Sequence, residues 1–547
     1  MKQARKTSLS LVFLAALLAA ALSVVYLSRG GPADQAAAAS VLHRGLLTDP
    51  ESVDPHKARS VQAGEVLRDI GEGLLSYSAT GELVAGTADE WSVTDDGLTH
   101  TFHIREGARW SNGDPVTAQH FVFSFRRLVD PVTAAFYSQL LGDIANAQEI
   151  VSGELGTENL GVEAVNDRTL VITLVRPTPY LLSLLTLPST FPVHPGAIAE
   201  HGDAFTRAGN LLSNGAYKLD VWEPGSFLAL SRNEHYWNNA ATAIDEVRHH
   251  VVTQEMTELN RYRAGELHIT GSVPPDSFAQ VREEYPEELH VAPYLGVYYY
   301  GFNLTKPPFK DNPQLREALS MAVDREVLVT SITGRGEAAA FSWVPPGVDN
   351  YEPRRFNYAD QSQSERNAHA RRLLQEAGYG ADNPLQIELR YNTSDTQQRI
   401  ALAVQSMWRE VLGVETTLVN EEFQVLLSNM REREITQVFR SSWVGDYNDA
   451  HTFLSIMEGG NASNMPGYAD EEFDSLMRRA AEQVDPDRRR LFLEEAERVL
   501  LAGHPVIPLY FYVGKHLVSS EVVGWGDNVL DYHYSQHLSL ALSDATP

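Results

Sequence analysis

The chain has 547 residues, which is too long for one hydrophobic core and predicts two to four domains. Its 43% hydrophobic and 9% aromatic residues are typical of a globular protein. A formal net charge of −28 argues against a nucleic-acid partner, which would require a basic surface. The absence of cysteine excludes disulfides, thiolate metal sites, a cysteine nucleophile and a lipid-modified N-terminal cysteine.

The first forty residues have the pattern of an export signal. Three basic residues precede an apolar run from about 9 to 27, and a tract of small residues follows to about Ala39. This order is typical of a secretory signal. The run is close to the ~20 residues that span a bilayer, so an uncleaved anchor is the alternative. Either interpretation predicts that residues 1–39 direct export and that the rest of the chain lies in the periplasm.

Short β-like runs alternate with amphipathic helices after this segment. Residues 168–175 (RTLVITLV) alternate as a strand does, and residues 368–380 have helical spacing that ends at a glycine. A strand (PLQIELRYNTS), a helix (QQRIALAVQSMWREVLG) and another strand (VETTLVN) follow. The alternation from about 366 to 425 predicts an α/β fold with a mixed or parallel sheet.

The end of the chain continues this pattern. Asp485 and Pro486 predict the start of a helix that ends near Gly503, and HPVIPLYFYVGKHLV then predicts an apolar strand. No internal repeat, low-complexity tract or long linker separates the elements. We therefore expect tightly joined domains, with the chain crossing between them.

The sequence carries none of the common catalytic motifs. HExxH, GxSxG, GxxxxGK[ST] and the dinucleotide-binding GxGxxG are all absent. His249 and His250 are adjacent, so on a strand their side chains point to opposite faces, which favours ordinary strand positions over a metal site. No spacing marks a carboxylate pair for acid and base catalysis. We therefore predict no catalytic residues, no metal site and no cofactor, with a hydrolase as the alternative.

Four tyrosines occur within seven residues of the stretch YLGVYYYGFN, residues 294–303. On a strand, Tyr298 and Tyr300 face one way and Tyr299 the other, while Tyr294 precedes the strand. Tyrosine offers wide apolar area, one polar tip and little rotamer entropy, which suits a surface that closes on a ligand. A tyrosine-rich sheet packed under helices is the alternative.

The stretch FRSSWVGDYNDAHTFL combines opposite charges within a few residues. Arg440 stands six residues before Asp446, which opens an Asp-Tyr-Asn-Asp run. Such a stretch suits a salt-bridged surface loop, a metal site or a clamp for a ligand that carries both charges. The residues alone leave these three interpretations open.

Motifs in a fixed order identify a resemblance that covers residues 43–540. They are VDPHK (53–57), EGLLSY (72–77), GLTHTFHIREGARWSNGDPVTAQHFVFSFRRLVDP (97–131), NGAYKL (214–219), YWNNA (236–240), NRYRAGE (260–266), YYYGFN (298–303), KPPF (306–309) and DYND (446–449). The chain resembles the periplasmic oligopeptide-binding proteins, the substrate-binding components of ABC peptide importers (extracellular solute-binding family 5).

The resemblance implies an α/β, two-lobed periplasmic-binding-protein fold with a hinge and three domains. A discontinuous domain I would comprise residues 40–71, 196–297 and 514–547. Domain II would be an insertion at 72–195, and domain III would be residues 298–513. The lobes would close over the ligand by a hinge motion.

The family also implies how the two ends of a peptide are held. An aspartate of the DYN motif, here Asp446, would pair with the peptide's amino terminus, and such a charge-assisted bond is strong where water is excluded. Arg440 matches a family arginine that accepts the peptide carboxylate. A second family arginine falls at Arg431 or Arg433, and a family histidine falls at about Gln397, where the charge is lost.

Further positions match residues that contact the peptide backbone or form pockets for its side chains. They are Arg59, Ser60, Val61, Tyr137, Gly271, Tyr294, Tyr299, Trp443, Val444 and Gly445. Gly271 replaces a tyrosine of some relatives and would enlarge one pocket. Gly296 and Val444 match a cysteine pair of some relatives. An extended peptide would add to strand edges by β-augmentation, and hydrated pockets would accept many side chains.

The resemblance implies an exported, monomeric protein without enzymatic activity. It would capture short peptides and deliver them to the permease and ATPase subunits of an ABC importer at the inner membrane. The alternatives are a different solute in the same fold, such as a murein peptide, a dipeptide or a metal chelate, and a peptide sensor. Metal chelates are disfavoured because the sequence shows no histidine cluster besides 249–250.

Overall fold

The structure, a computed structural model, describes residues 39–541 of the chain. The apolar run at 9–27 lies outside these residues, so the export signal or anchor stays a prediction. Within residues 39–541, no helix is both long and apolar enough to cross a membrane.

The strands of the described residues are short except for two in the last half of the chain. They are β1 (Val41–Leu46), β2 (Leu75–Tyr77), β3 (Leu83–Ala85), β4 (Ala88–Val93), β5 (Thr99–Ile104), β6 (Val162–Asn166), β7 (Thr169–Thr173), β8 (Tyr217–Glu223), β9 (Phe227–Arg232), β10 (Glu246–Val251), β11 (Leu289–Phe302), β12 (Ala338–Ala339), β13 (Gln386–Asn392), β14 (Glu415–Glu421), β15 (Val438–Val444), β16 (Val506–Leu517), β17 (Val522–Val523) and β18 (Ser539–Leu540).

The longest helices lie between residues 360 and 505. The α-helices are α1 (Val61–Ile70), α2 (Ala118–Val129), α3 (Ala147–Val151), α4 (Leu181–Leu184), α5 (Pro195–His201), α6 (Glu255–Arg263), α7 (Phe278–Glu284), α8 (Pro313–Met321), α9 (Arg325–Val327), α10 (Gln363–Glu376), α11 (Asp395–Leu412), α12 (Phe423–Glu432), α13 (His451–Leu454), α14 (Glu471–Ala481) and α15 (Pro486–Gly503). A π-helical turn, Leu328–Thr333, follows α9.

Three larger sheets organise the chain. The first has the order β1-β10-β9-β8, and the second is the antiparallel sheet β4-β5-β7-β6. The third has six strands in the order β12-β16-β11-β15-β13-β14. In it β13 pairs parallel with β14 and β15, whereas β11 pairs antiparallel with β15 and β16. The predicted mixed α/β sheet is therefore confirmed.

Each of these sheets covers its own hydrophobic core. The largest cluster lies under the six-stranded sheet and contains the fully buried Trp343 and Trp408. A second cluster contains Trp110, Phe121 and Phe125, and a third joins α1 to the first sheet. Separate cores fit a chain of several domains, because a single core stops growing at ~250–300 residues.

Local signals placed several helix ends correctly. Asp485 caps α15, where its side chain accepts a hydrogen bond from the Arg488 N–H at 2.9 Å, and the helix ends at Gly503 as predicted. Helix α11 ends before Gly413, whose φ of +68° is the left-handed conformation that glycine adopts without strain. These predictions are confirmed.

The tyrosine-rich stretch forms the second half of β11. The rings of Tyr298 and Tyr300 lie 6.1 Å apart on one face, and Tyr299 packs edge-on against Trp343 at 4.9 Å on the other. The predicted alternation is confirmed. The prediction that Tyr294 precedes the strand is wrong, because β11 begins at Leu289 and pairs with β16 on both sides of an irregularity between Pro293 and Val297.

Candidate ligand-binding site

A cavity of about 230 Å³ lies where distant parts of the chain meet. Its lining comes from Arg44 and Gly45 of β1, residues of 58–68 around the start of α1, Tyr137, residues 187–189 and 269–271, Tyr294, residues 444–446 at the end of β15, His516, Trp525 and residues 530–533. The cavity therefore joins the three segments expected for domain I to two stretches expected for domain II and one expected for domain III.

Helix α1 supplies one wall of the cavity. The helix starts at Val61 because Ser60 Oγ accepts a hydrogen bond from the Ala63 N–H at 3.1 Å, while the Glu51 carboxylate accepts from the Ser60 N–H at 2.9 Å. Val61, Glu65 and Arg68 follow one another at helical spacing and all line the cavity. The helix start thus fixes which side chains face the cavity.

The Asp-Tyr-Asn-Asp run begins at the cavity lining, and three of its four residues hold the loop in place. The Asp449 carboxylate accepts two hydrogen bonds from Arg489, at 2.7 and 2.8 Å. Tyr447 stacks on Tyr180 with 5.0 Å between ring centroids, and Asn448 Oδ1 accepts a hydrogen bond from a backbone N–H. Only Asp446 is left to face the cavity.

The Asp446 carboxylate has no hydrogen-bond or ion-pair partner within residues 39–541. Burial alone raises its pKa from 3.8 to about 6, with no cation nearby to offset the loss of water. Burial, followed by the charge of Asp446, raises the pKa of Tyr137 across the cavity. An unpaired carboxylate in a cavity suits a cationic group of a ligand.

Arg440 is not the partner of Asp446, so the salt-bridged loop considered from the sequence is not what the structure contains. The Arg440 guanidinium lies over the Tyr298 ring, 4.9 Å from its centroid, and its Nε is buried without a hydrogen-bond partner. The Tyr298 hydroxyl donates a hydrogen bond to the Gln397 side chain. Arg440 and Gln397 thus meet around one tyrosine but do not line the cavity, and their assignment to the peptide carboxylate stays a prediction.

Four other predicted residues also lie away from the cavity lining. Arg431 is exposed at the end of α12, and Arg433 donates hydrogen bonds to the carbonyls of 464 and 465 at 2.7 and 3.2 Å. Tyr299 is 2% exposed in the core. Trp443 is half-buried and donates from Nε1 to Thr452 Oγ1 at 3.4 Å. The ligand roles predicted for these four residues stay predictions.

The remaining predicted residues all line the cavity. They are Arg59, Ser60, Val61, Tyr137, Gly271, Tyr294, Val444, Gly445 and Asp446. The Gly271 N–H donates to the buried carboxylate of Glu258 at 2.8 Å, and burial raises the pKa of Glu258 to about 7. Gly296 stands directly opposite Val444 between β11 and β15, as the family's cysteine pair would require.

Two charged cavity residues on α1 were missed from the sequence. Glu65 has no hydrogen-bond or ion-pair partner within residues 39–541, and burial raises the pKa of its carboxyl group. Arg68 is 8% exposed, its guanidinium lies 3.4 Å from the centroid of the Tyr532 ring, and its Nε has no partner. Helical spacing from Val61 was the signal that could have identified both.

The cavity wall also contains a cluster able to hold a metal ion, which the sequence did not reveal. One donor atom each from His516, Asp531 and His533 lies within 4.8 Å of the others. The expectation of no histidine cluster besides 249–250 is therefore wrong. His249 is buried beside Asp69, 3.0 Å away, whereas His250 faces His43, so the adjacent pair does not form one site, as predicted.

Comparison with known proteins identifies the class of this site. The family model for the middle part of bacterial extracellular solute-binding proteins, family 5, matches residues 82–465, more than half of the chain. The chain belongs to this family.

Individual relatives resemble this solute-binding protein over nearly its full length. It is 39% identical over 495 residues to the periplasmic oligopeptide-binding protein OppA of Escherichia coli, covering 90% of this chain and 91% of OppA. It is 36% identical over 525 residues to the periplasmic murein peptide-binding protein MppA of Escherichia coli, covering 95% and 97%. The structure of Haemophilus influenzae OppA in complex with RPPGFSPFR has a TM-score of 0.78 and 34% identity, covering 92% of this chain and 99% of that one. The predicted two-lobed fold is confirmed.

Proposed function

We propose that this solute-binding protein captures short peptides in the cavity between its lobes and delivers them to an ABC importer in the inner membrane. The unpaired carboxylate of the half-buried Asp446 carries the proposal, since a peptide with a free amino terminus supplies the cation that this group lacks. The names of OppA and MppA, both peptide-binding and periplasmic, support it.

The proposed architecture follows the family. Residues 40–71, 196–297 and 514–547 form domain I, residues 72–195 form domain II, and residues 298–513 form domain III. The cavity lining draws on all three, so a ligand there contacts every domain at once. Binding would shift the population towards closed lobes, because those contacts are complete only when the lobes are closed. The protein would act as a monomer, dock on the permease and leave the peptide intact.

The test is calorimetry on protein that has been unfolded and refolded to remove bound ligand. One tripeptide is titrated in its free form and in its N-acetylated form, and the peptide is recovered afterwards. We expect the free peptide to bind, acetylation to abolish or greatly weaken binding, and the recovered peptide to be uncut. Absence of binding by several unrelated peptides would contradict a peptide ligand, and a cleaved product would contradict a transport function without chemistry.

A further inference from the structure

We propose that His516, Asp531 and His533 form a binding site for one divalent transition-metal ion, such as Zn²⁺, on the wall of the ligand cavity. His516 Nε2 lies 3.0 Å from Asp531 Oδ1, and His533 Nε2 lies 3.2 Å from the same oxygen. Two imidazoles and one carboxylate are a donor set that Zn²⁺, Co²⁺ and Ni²⁺ accept. The three side chains are half-buried; His516 belongs to β16, and Asp531 and His533 lie in the loop after β17.

The hydrogen bonds of His516 leave the lone pair of its Nε2 atom pointing at the Asp531 carboxylate. Its Nδ1 faces the carbonyl oxygen of Thr270 at 2.8 Å, and a carbonyl only accepts, so Nδ1 carries a hydrogen. In the neutral imidazole, Nε2 is then an acceptor that faces a second acceptor, Asp531. A positive ion must stand between them, either a proton or a metal. A carbonyl bonded to the far ring nitrogen is also the partner that orients metal-binding histidines.

The spacing of the donors fits a metal without large rearrangement. Zinc bonds of about 2.0–2.2 Å in a tetrahedron place neighbouring donor atoms roughly 3.3–3.5 Å apart. The two nitrogen-to-oxygen distances here are 3.0 and 3.2 Å, so they open by only a few tenths of an ångström when an ion enters. The two histidines already lie within 4.8 Å of each other at their donor atoms.

Neighbouring residues hold the cluster in place. The ring of Trp525 stacks on His533 with 3.6 Å between centroids. Gly514 lies under the Asp531 carboxylate, where any Cβ would overlap it, so the glycine is required for the carboxylate to sit there. Arg44, whose charge acts on His533, donates to the His533 carbonyl and to Ser535 Oγ, both at 2.8 Å, so its hydrogen bonds go to neutral acceptors.

All three donors line the ligand cavity, so the remaining coordination position opens into it. That position would hold water or a donor atom of the bound solute, as in metal sites that keep one position free. The metal site does not rest on the proposed peptide function, because it requires only the three side chains. A negative result in the metal titration would therefore leave the peptide-binding proposal standing, and a negative result with peptides would leave the metal site standing.

The experiment is metal titration of the purified protein after dialysis against a chelator, with no peptide present. We expect one Zn²⁺ per chain by calorimetry and, with Co²⁺, the visible absorption of a four-coordinate complex. Ni²⁺ should quench the fluorescence of Trp525. His516→Ala and His533→Ala should each weaken Zn²⁺ binding at least about tenfold. Asp531→Asn, which keeps nearly the same side-chain shape, should weaken it as well.

His290→Ala is the matched control. His290 faces Asp527 at 3.1 Å and also lies against Trp525, but neither His290 nor Asp527 belongs to the group of donors found within residues 39–541 whose ligand atoms could meet on one metal ion. This variant should bind Zn²⁺ as the parent protein does. No saturable uptake by the parent protein, or uptake unaffected by all three cluster variants, would overturn the proposal. So would nuclear magnetic resonance spectra in which His516 keeps both ring protons with equimolar Zn²⁺ present, because a proton then stands where the metal should.

Discussion

Replacing Asp446 by asparagine should affect stability and binding in opposite directions. Burial raises the pKa of Asp446 from 3.8 to about 6, so keeping it ionised at pH 7 costs the empty protein about 3 kcal/mol at most. Because the folded-state pKa lies above the unfolded one, the cost is complete above pH 6 and disappears as the pH falls towards 4. We expect Asp446→Asn to raise the free energy of unfolding by about 1–3 kcal/mol at pH 8 and to leave it unchanged at pH 4.

The same substitution should weaken binding of a free tripeptide about 10- to 100-fold, the range of a charged hydrogen bond. In the parent protein, affinity should fall as the pH drops below 6, since a proton then competes with the peptide amine, whereas the variant should show no such dependence. Urea unfolding and calorimetry at both pH values measure these effects.

Asp449→Asn is the matched control in the same loop. It breaks the bidentate pair with Arg489 and should lower stability at pH 8. A stability of Asp446→Asn equal to or below that of the parent protein at pH 8 would refute the claim that Asp446 is unpaired. Equal loss of affinity for free and N-acetylated peptide would refute its role at the amino terminus.

Three further predictions concern other parts of the chain. Arg127→Leu removes the two hydrogen bonds of 2.9 and 2.6 Å that Arg127 donates to the 3% exposed Asp54 and leaves only the one from the His56 N–H, so urea unfolding should show a loss of about 3–5 kcal/mol, largely recovered by adding Asp54→Asn. Glu65→Gln should reduce the preference for a lysine over a leucine side chain beside α1 by about tenfold in calorimetry, and an unchanged preference would exclude Glu65 from side-chain selection. Gly301→Ala places a Cβ into the Phe439 ring and should cost about 1–3 kcal/mol of unfolding free energy, whereas an unchanged thermal midpoint would mean that the ring moves freely.

Local signals predicted the secondary structure wherever one pattern dominated a segment. The caps at Asp485 and Gly413 worked because helix ends are determined by a few neighbouring residues. Tyr294 failed because strand β11 continues through an irregular pairing with β16, and that pairing depends on residues more than two hundred positions away.

The candidate site residues that stand in a sequence motif could be predicted from the sequence. Those that only the folded chain brings together could not. Asp446 stands in a recognisable run, and the residues before α1 match a family segment. His516 and Asp531 are fifteen positions apart with no regular spacing, so only the folded loop brings them together. The position of Arg433 in the sequence likewise could not show that its guanidinium holds two loop carbonyls.

The long pair β11 and β16 has a mechanical consequence. Both strands cross the proposed boundary between domains I and III, β11 at residue 297 and β16 at residue 513, and their pairing is interrupted between Pro293 and Val297. A ladder of hydrogen bonds resists stretching but bends where its pairing is broken. With these domain boundaries, we expect the two lobes to swing about the interruption along one arc while the paired strands keep them together. We expect such a protein to sample few arrangements of its lobes when empty, so a ligand that fixes the closed arrangement should cost little conformational entropy.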